Sequence, residues 1–446
     1  MNNKLILKRS LADYLTFSGV FLLIILIYVN ILRAVVWDSV MWVLILSAFI
    51  FLAAFIKIIK YRILDFPPSK VFIFIALMLI MILYVMNYQG ERLAIDLFLY
   101  YITPLIYFAF YSLFMNMNIL KIIYKIFLFV FIFESAVIIL EVVDSIVGFD
   151  IHSSRIFTWY FISDTGRFEN SVAGNANMSF SEMLPLSLGV HGWPNYTAPL
   201  YATSLVIIIA SIYSKGAILN KNAYSQFLIL LIGLACIYLL GIKTHMVTVF
   251  ISLVILGLFV NKRIFIHLMF FLLGVVIFTL SSDWAMMRFE NYIEQLFVGG
   301  HRWEDGERVI EAGRLEVIFN FKDYLSILEI DFIELMTGLS DFSRAASFDY
   351  LFEQKILVFA LILGMPYIFF IVVLILLGMR DAFTLNRRGI PLDVRAFSVG
   401  IGCAIMVLFL EMGHFGFTFN YPNYQVLFLL IAVSSLLKKG KFRINT

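Results

Sequence analysis

Residues 264–314 read IFIHLMFFLLGVVIFTLSSDWAMMRFENYIEQLFVGGHRWEDGERVIEAGR. The first part, as far as Ser281, is an apolar run of the length that crosses a hydrocarbon layer of about 30 Å as a helix. Beyond it the character changes: Arg288, Arg302, Arg308 and Arg314 follow, interleaved with many acidic residues. A membrane-length helix that opens into a long charged segment decides the fold class. The chain reads as a polytopic membrane protein that keeps one large polar loop on one side of the bilayer.

Working outward, the same apolar runs recur in both directions. The 446 residues are 62% hydrophobic and 17% aromatic, and only 14% are charged. A soluble domain carries about 25% charged residues, so most of this surface is suited to lipid. Spans are predicted near 14–34, 39–57, 71–87, 94–115, 122–146, 197–213, 225–241, 246–261, 264–281, 352–379, 397–411 and 424–437. The expected fold is all-α and polytopic, a single integral membrane domain over 1–446 with about twelve transmembrane helices. Two polar segments interrupt it, 147–196 and the large loop 282–351 between spans nine and ten. Met1–Ser10 is basic, and the apolar segment after it is too long for a signal-peptide core and lacks a small-residue cleavage site, so it reads as a retained first span. Cys236 and Cys403 both fall in apolar runs, which implies neither a disulfide framework nor a cysteine metal site. The formal charge of +3 is spread among loops and offers no face to nucleic acid.

Orientation follows from Lys and Arg in short loops. With the N-terminus inside, 21 of the 33 basic residues fall on inside segments and three, Arg33, Arg92 and Lys243, on short outside loops. Both termini are then cytoplasmic, and the two long polar segments face outward. No internal repeat of the kind that builds a two-halved transporter is evident.

Several residues stand out against this background. Trp303–Leu325 is expected to form a helix, since Val309, Ile310, Val317, Ile318 and Phe321 recur at helical spacing while Glu307, Glu311 and Arg314 share another face. Such a helix can lie on the bilayer surface, where an arginine grips phosphate with two donors; salt-bridged solvation is the plainer use of the same charges. Gly241-Ile242-Lys243-Thr244-His245 puts a cation in a tight outer turn against the inside bias, suited to an anionic partner or to snorkelling. Pro194, in His191-Gly192-Trp193-Pro194-Asn195-Tyr196, marks a helix start, whose exposed backbone donors favour an anion. His414 and Tyr421-Pro422-Asn423 occupy the last outer loop, where imidazole can accept a proton. His267 reads as a packing or hydrogen-bonded helix residue. Glu134 and Glu141 share a face of the fifth span, and carboxylates at that depth face a cavity or a partner. Phosphate-binding glycine loops, zinc-type His-Glu-x-x-His and Gly-x-Ser-x-Gly elbows are missing, as is an outward Asp-x-Asp. Neither a metal nor an organic cofactor is expected.

Four stretches, taken in order, resemble the bacterial O-antigen polymerase and O-antigen ligase superfamily. His191–Tyr196 followed by Ala198 resembles its Gly-x-x-x-Pro-Asn stretch, and Gly241–Thr244 its outer Ser-Arg or Ser-Lys turn, with Lys243 in the basic position. Ala312-Gly313-Arg314-Leu315-Glu316 resembles its Ser-Gly-Arg-Leu element. Thr337-Gly338-Leu339 and Ser347-Phe348-Asp349-Tyr350-Leu351 resemble its Gly-x-Gly and Asp-Asn-x-x-Leu elements. The likeness extends over the layout of residues 150–430. No asparagine follows Asp349, and Ser340 replaces the second glycine; aspartate where ligases commonly carry histidine favours polymerase.

The resemblance implies a fold of the membrane glycosyltransferase C kind, in the bacterial inner membrane, with a periplasmic active face. It implies metal-independent transfer of one undecaprenyl-pyrophosphate-linked glycan onto the sugar of another lipid-linked repeat unit. Lys243 and Arg314, with Arg302 and Arg308 behind them, would hold the pyrophosphate. Asp349 would be the base, with His191, His301 and His414 as alternatives. Trp159, Trp193, Asn195, Trp303 and Tyr421 would contact the glycan. Expected partners are the lipid-linked oligosaccharide, membrane lipids and a chain-length regulator protein. Transfer of finished glycan to lipid A–core is the alternative within the superfamily. A flippase or secondary transporter is the alternative outside it, with Glu134 and Glu141 in ion coupling.

Overall fold

A computed structural model describes residues 11–28, 39–62, 65–87, 100–147, 194–214, 223–240, 243–281, 286, 301–304, 307–310, 330–338, 355–387, 389–414 and 422–440. The first helices are α1 (Leu11–Ile27), α2 (Ser39–Tyr61), α3 (Pro68–Asn87), α4 (Ile106–Phe114) and α5 (Ile119–Val147). Next come α6 (Pro194–Ile212), α7 (Ala223–Leu239), α8 (Lys243–Phe259) and α9 (Lys262–Ser281). The last are α10 (Phe332–Thr337), α11 (Lys355–Leu363), α12 (Met365–Phe383), α13 (Leu392–His414) and α14 (Asn423–Lys438). Five are long and apolar enough to cross a membrane: Met41–Tyr61, Pro68–Met86, Ile119–Leu140, Met365–Phe383 and Leu392–Met412. Shorter apolar helices cover Asp13–Ile27, Tyr100–Phe114, Thr197–Ile212, Tyr224–Leu239, Thr244–Phe259 and Asn423–Lys438. The chain is a helical membrane protein.

Helix boundaries follow local chemistry. Pro68 and Pro194 open α3 and α6, where the missing N–H would have no partner anyway. Asn118 caps α5 by accepting from the Lys121 N–H at 3.2 Å. Asn261 caps α9 in the same way, accepting from Arg263, while its amide donates to the Tyr213 carbonyl at 2.8 Å and ties α9 to the end of α6. Asp331 and Glu334 form a capping box at the start of α10.

The centre of the bundle is made of α6, α13 and α14. From Thr197 to Tyr213 the chain is buried throughout, as is Asn423–Leu437. The closest seam is between α6 and α13: a methyl group added at Gly400 would lie 2.5 Å from the Ala210 Cβ, so only glycine lets the two backbones approach this far. Around the centre, α5 packs on α6, α8 on α13, α4 on α14, and α12 on both α13 and α14. The rim is apolar outward: Phe17, Phe21, Phe49, Phe55, Phe72, Leu79, Phe270 and Leu280 are all exposed. In water such a surface would drive association; against lipid tails it is the ordinary solvent face.

Polar contacts gather at the two ends of the bundle. At one end Lys57 donates to the Leu113 carbonyl at 2.6 Å and to the Thr16 hydroxyl at 3.1 Å, joining α1, α2 and α4. The same end holds Lys439 on Asp65 at 2.8 Å and a cluster around Asp381. Toward the other end the Tyr101 hydroxyl donates to the Leu363 carbonyl at 2.9 Å, and the hydroxyls of Tyr367 and Tyr424 lie 2.7 Å apart.

Two expectations need correction. The single span expected at 352–379 is broken at Gly364 into α11 and α12. Backbone freed by such a break in lipid must find partners inside the protein. Tyr101 takes the Leu363 carbonyl, and the Tyr367 N–H takes the Gly364 carbonyl at 3.1 Å. Gly364 and Gly338, the residue after α10, both have φ of 88° and pack against each other's neighbours. A Cβ at Gly338 would lie 2.4 Å from the Ile362 carbonyl oxygen, and one at Gly364 2.8 Å from that of Met336. The second correction concerns the helix expected over Trp303–Leu325. His301–Glu304 and Glu307–Ile310 form an antiparallel hairpin, with Trp303 opposite Arg308. Asp305-Gly306 between the strands is a dipeptide that two-residue hairpin turns favour, and it outweighs the helical spacing of Val309 and Ile310. Residues 311–325 of the expected helix lie outside the described residues.

Gly338→Ala and Gly364→Ala are each expected to destabilise the protein by at least the roughly 1–3 kcal/mol of a non-glycine residue held in this backbone region. Thermal unfolding in detergent measures it; a control at Gly274, where an added Cβ meets nothing within 4 Å, should leave the midpoint nearly unchanged.

Candidate functional site

The α8–α13 seam carries a line of polar groups in an apolar setting. His245, Thr248 and Ser252 follow one face of α8 at helical spacing. The Thr248 hydroxyl donates to the His245 carbonyl at 3.2 Å, and the Ser252 hydroxyl to that of Thr248 at 2.8 Å. From α13, the Cys403 thiol reaches the Ser252 carbonyl at 3.9 Å. At the end of this line His245 Nδ1 lies 3.3 Å from Glu411 Oε1, with the two side chains 1% and 0% exposed. The distance is that of an ion pair, but the alignment is not that of a hydrogen bond, and among the described residues Glu411 Oε2 has no hydrogen-bond partner. A carboxylate this deep is stabilised only by what lies beside it. The pair is therefore a polar point built into the membrane domain.

Helix directions bring several sequence motifs to the same level. Asn261 donates to the Tyr213 carbonyl just after α6, and Arg395 in the first turn of α13 donates to the carbonyl of Phe259, two residues before Asn261, so α6 and α13 run antiparallel. From the crossing of Gly400 and Ala210, moving the same distance along both brings Glu411 near the level of Thr197. Pro194 and Asn195 open α6 just beyond, and Lys243 opens α8 two residues before His245. His414 closes α13, and Asn423 opens α14, which packs on α13. Three helix N-termini thus share one end of the bundle with the His245–Glu411 pair. The unpaired N–H groups and dipoles there favour negative charge.

Beside this end lies an aromatic wall. Tyr367, from the first turn of α12, shares its hydroxyl with Tyr424 and with the Tyr100 carbonyl. Tyr101 packs on Tyr367 and Tyr84, and Tyr100 on Phe359. These rings surround the break at Gly364, against which Gly338 at the end of the large loop rests. In α14 the Gln425 side chain is 1% exposed, and among the described residues its amide oxygen and nitrogen have no hydrogen-bond partner.

Among the residues expected to form the site, Asn195, Lys243 and His414 have described helical backbone, and all three are at this end. Lys243 begins α8 rather than sitting in a turn. His301, Arg302, Trp303 and Arg308 are in the hairpin. Trp159, His191, Trp193, Arg314, Asp349 and Tyr421 lie outside the described residues. Glu134 is buried, within reach of Tyr28 and adjoining the Ser135 hydroxyl that lies 2.7 Å from that of Tyr201. His267 is a hydrogen-bonded helix residue as expected, with Nδ1 2.6 Å from the Tyr213 hydroxyl. Sequence reasoning overlooked Glu411, although a lone carboxylate among 397–414 was a signal it could have used. No protein-family model matches the chain, and no curated protein matches it.

Replacing His245 by leucine should leave the buried Glu411 carboxyl group without its imidazole neighbour and cost about 1–3 kcal/mol, the range for a buried polar group that loses its partner. The double variant His245→Leu/Glu411→Leu should recover much of that loss. Thermal unfolding of the two single variants and the double variant measures the coupling.

Proposed function

We propose that the chain is a polysaccharide polymerase of the bacterial inner membrane, joining undecaprenyl-pyrophosphate-linked oligosaccharide repeat units at the periplasmic face. The observation that most supports this reading is that Asn195 and Lys243, from two stretches with the family resemblance, and His414, from the last outer loop, lie at the same end of the bundle as the buried His245–Glu411 pair. Contacts between helix ends also support the twelve-span arrangement and its sidedness. Lys57 meets Thr16 and Leu113, and Lys70 and Lys438 meet Asp381, at ends that charge places inside; His245 meets Glu411 at ends that it places outside.

In the reaction the bond between the anomeric carbon and the pyrophosphate oxygen of one lipid-linked glycan breaks. A hydroxyl of the second unit forms the new glycosidic bond and loses its proton to a base. Undecaprenyl pyrophosphate leaves carrying the negative charge. This leaving group is already a good one, so the protein's part is to offer cations where charge develops and a base at the acceptor. Lys243 and Arg314, with Arg302 and Arg308, serve the pyrophosphate. Asp349 serves as base, with His191, His301 and His414 as alternatives, and Trp159, Trp193, Asn195, Trp303 and Tyr421 hold glycan.

A secondary transporter is the second reading, favoured by the buried carboxylates Glu134 and Glu411. Purified protein with one defined lipid-linked repeat unit separates the two. The polymerase reading expects a ladder of products without any ion gradient, and an absence of products with gradient-dependent flux instead would replace it. Lys243→Ala and Arg314→Ala are expected to lose chain growth at normal protein level, while Lys243→Arg keeps part of it. A chelator should leave the ladder intact, and its disappearance would overturn the metal-independent mechanism.

A further inference from the structure

The end of the bundle opposite the His245–Glu411 pair gathers three cations on one carboxylate. Asp381, in the last turn of α12, receives Lys70 Nζ on Oδ2 at 2.9 Å, and Lys438 Nζ and Arg380 Nη2 on Oδ1 at 2.6 and 3.3 Å. Among the described residues none of the three touches a second acid. Lys70 is 1% exposed, also donates to the Ser435 hydroxyl, and lies 5.6 Å from the centre of the Tyr107 ring. It is enclosed and satisfied. Arg380 and Lys438 differ, since their side chains are 57% and 41% exposed. One carboxylate balances one cation, so positive charge remains in excess, and the two accessible side chains present it.

Their height in the fold gives that excess a ligand. Arg380 is in the last turn of the span Met365–Phe383, and Lys438 is the last residue of α14. A spanning helix ends where lipid phosphates lie, and the ends of α3, α12 and α14 meet there. Arg380 commits one terminal nitrogen to Asp381 and keeps the rest of its planar donor fork; Lys438 commits one of three donors. We propose that Arg380 and Lys438 form a binding site for a phosphate-bearing anion, the headgroup of an anionic phospholipid. Basic clefts between helix ends at this level suit such headgroups. Asp381 sets the spacing of the two cations and lowers their mutual repulsion. The site does not depend on the catalytic reading above.

Thermal unfolding of the full-length protein in detergent tests it, with added phosphatidylglycerol, phosphatidylcholine or inorganic phosphate. Phosphatidylglycerol should raise the midpoint more than phosphatidylcholine does. Arg380→Gln/Lys438→Gln should lose most of that difference, and the exchange Arg380→Lys/Lys438→Arg should keep most of it. If the double variant does not fold, Arg380→Gln alone carries the test, read as phospholipid retained in native mass spectrometry. Equal shifts from the two lipids in the wild type, or a difference that survives loss of both cations, would mean a solvated salt bridge only and overturn the site. A shift from inorganic phosphate equal to that from phosphatidylglycerol, lost in the same variant, keeps the two cations as the site and makes its ligand an anion from solution.

Discussion

Hydrocarbon offers no hydrogen bonds, so a polar group carried into this bundle is stabilised only where the protein itself supplies a partner. That constraint accounts for features that otherwise look unrelated. Lys57 is stabilised by a carbonyl and a hydroxyl from two other helices. The break at Gly364 is tolerated because tyrosine hydroxyls and neighbouring N–H groups take up the carbonyls it frees. Conversely, nothing constrains the outward face except that it be apolar. The chain therefore turns the soluble rule around, with phenylalanines on the rim and serines, tyrosines and carboxylates inside. Each interhelical hydrogen bond in such a setting is worth only about 0.6 kcal/mol on average. Close backbone approach, as at Gly400 and Ala210, must supply much of the cohesion.

The membrane helices were legible because an apolar run of about 20 residues has few other uses. The helix start at Pro194 was legible for a similar reason, since proline is confined to few positions in a helix. The break at Gly364 was not. Gly-Met-Pro at 364–366 sits inside a run whose hydropathy stays high on both sides, and hydropathy averages over a single residue. What fixes the break is a positive φ held by Gly338 from a distant loop, which a local reading cannot supply. The hairpin at His301–Ile310 was missed for a different reason: Val309 and Ile310 fit a helical face, and Asp305-Gly306 was the weaker-looking signal.

The candidate site was legible as separate pieces. Lys243 was visible as a cation against the charge bias, and Pro194-Asn195 as a helix start. Their convergence needed the directions of α6, α8, α13 and α14. Glu411 had a sequence signal but lay at the boundary of its predicted span, where a carboxylate passes for an interfacial one. Tyr100, Tyr367 and Tyr424 carried no signal, because tyrosine near a span end is usually an interface anchor. Only packing distinguishes an anchor from a ring in an internal hydroxyl chain.

The order of synthesis gives Lys57 and Lys70 different histories. Among the described residues the partners of Lys57 lie within 58 residues of it, so α1, α2 and α4 can close around that charge as soon as they enter the bilayer. Lys70 must wait for Asp381 and Ser435, 311 and 365 residues later. At about 5–20 residues per second the ribosome takes roughly 15–60 s to reach the first of them. Throughout that interval α3 carries a lysine near its membrane boundary without the carboxylate that meets it in the finished fold. The setting of Lys70 is thus incomplete until α12 and α14 arrive, and a chain cut short before α12 would carry an exposed mark of its incompleteness for quality control to find.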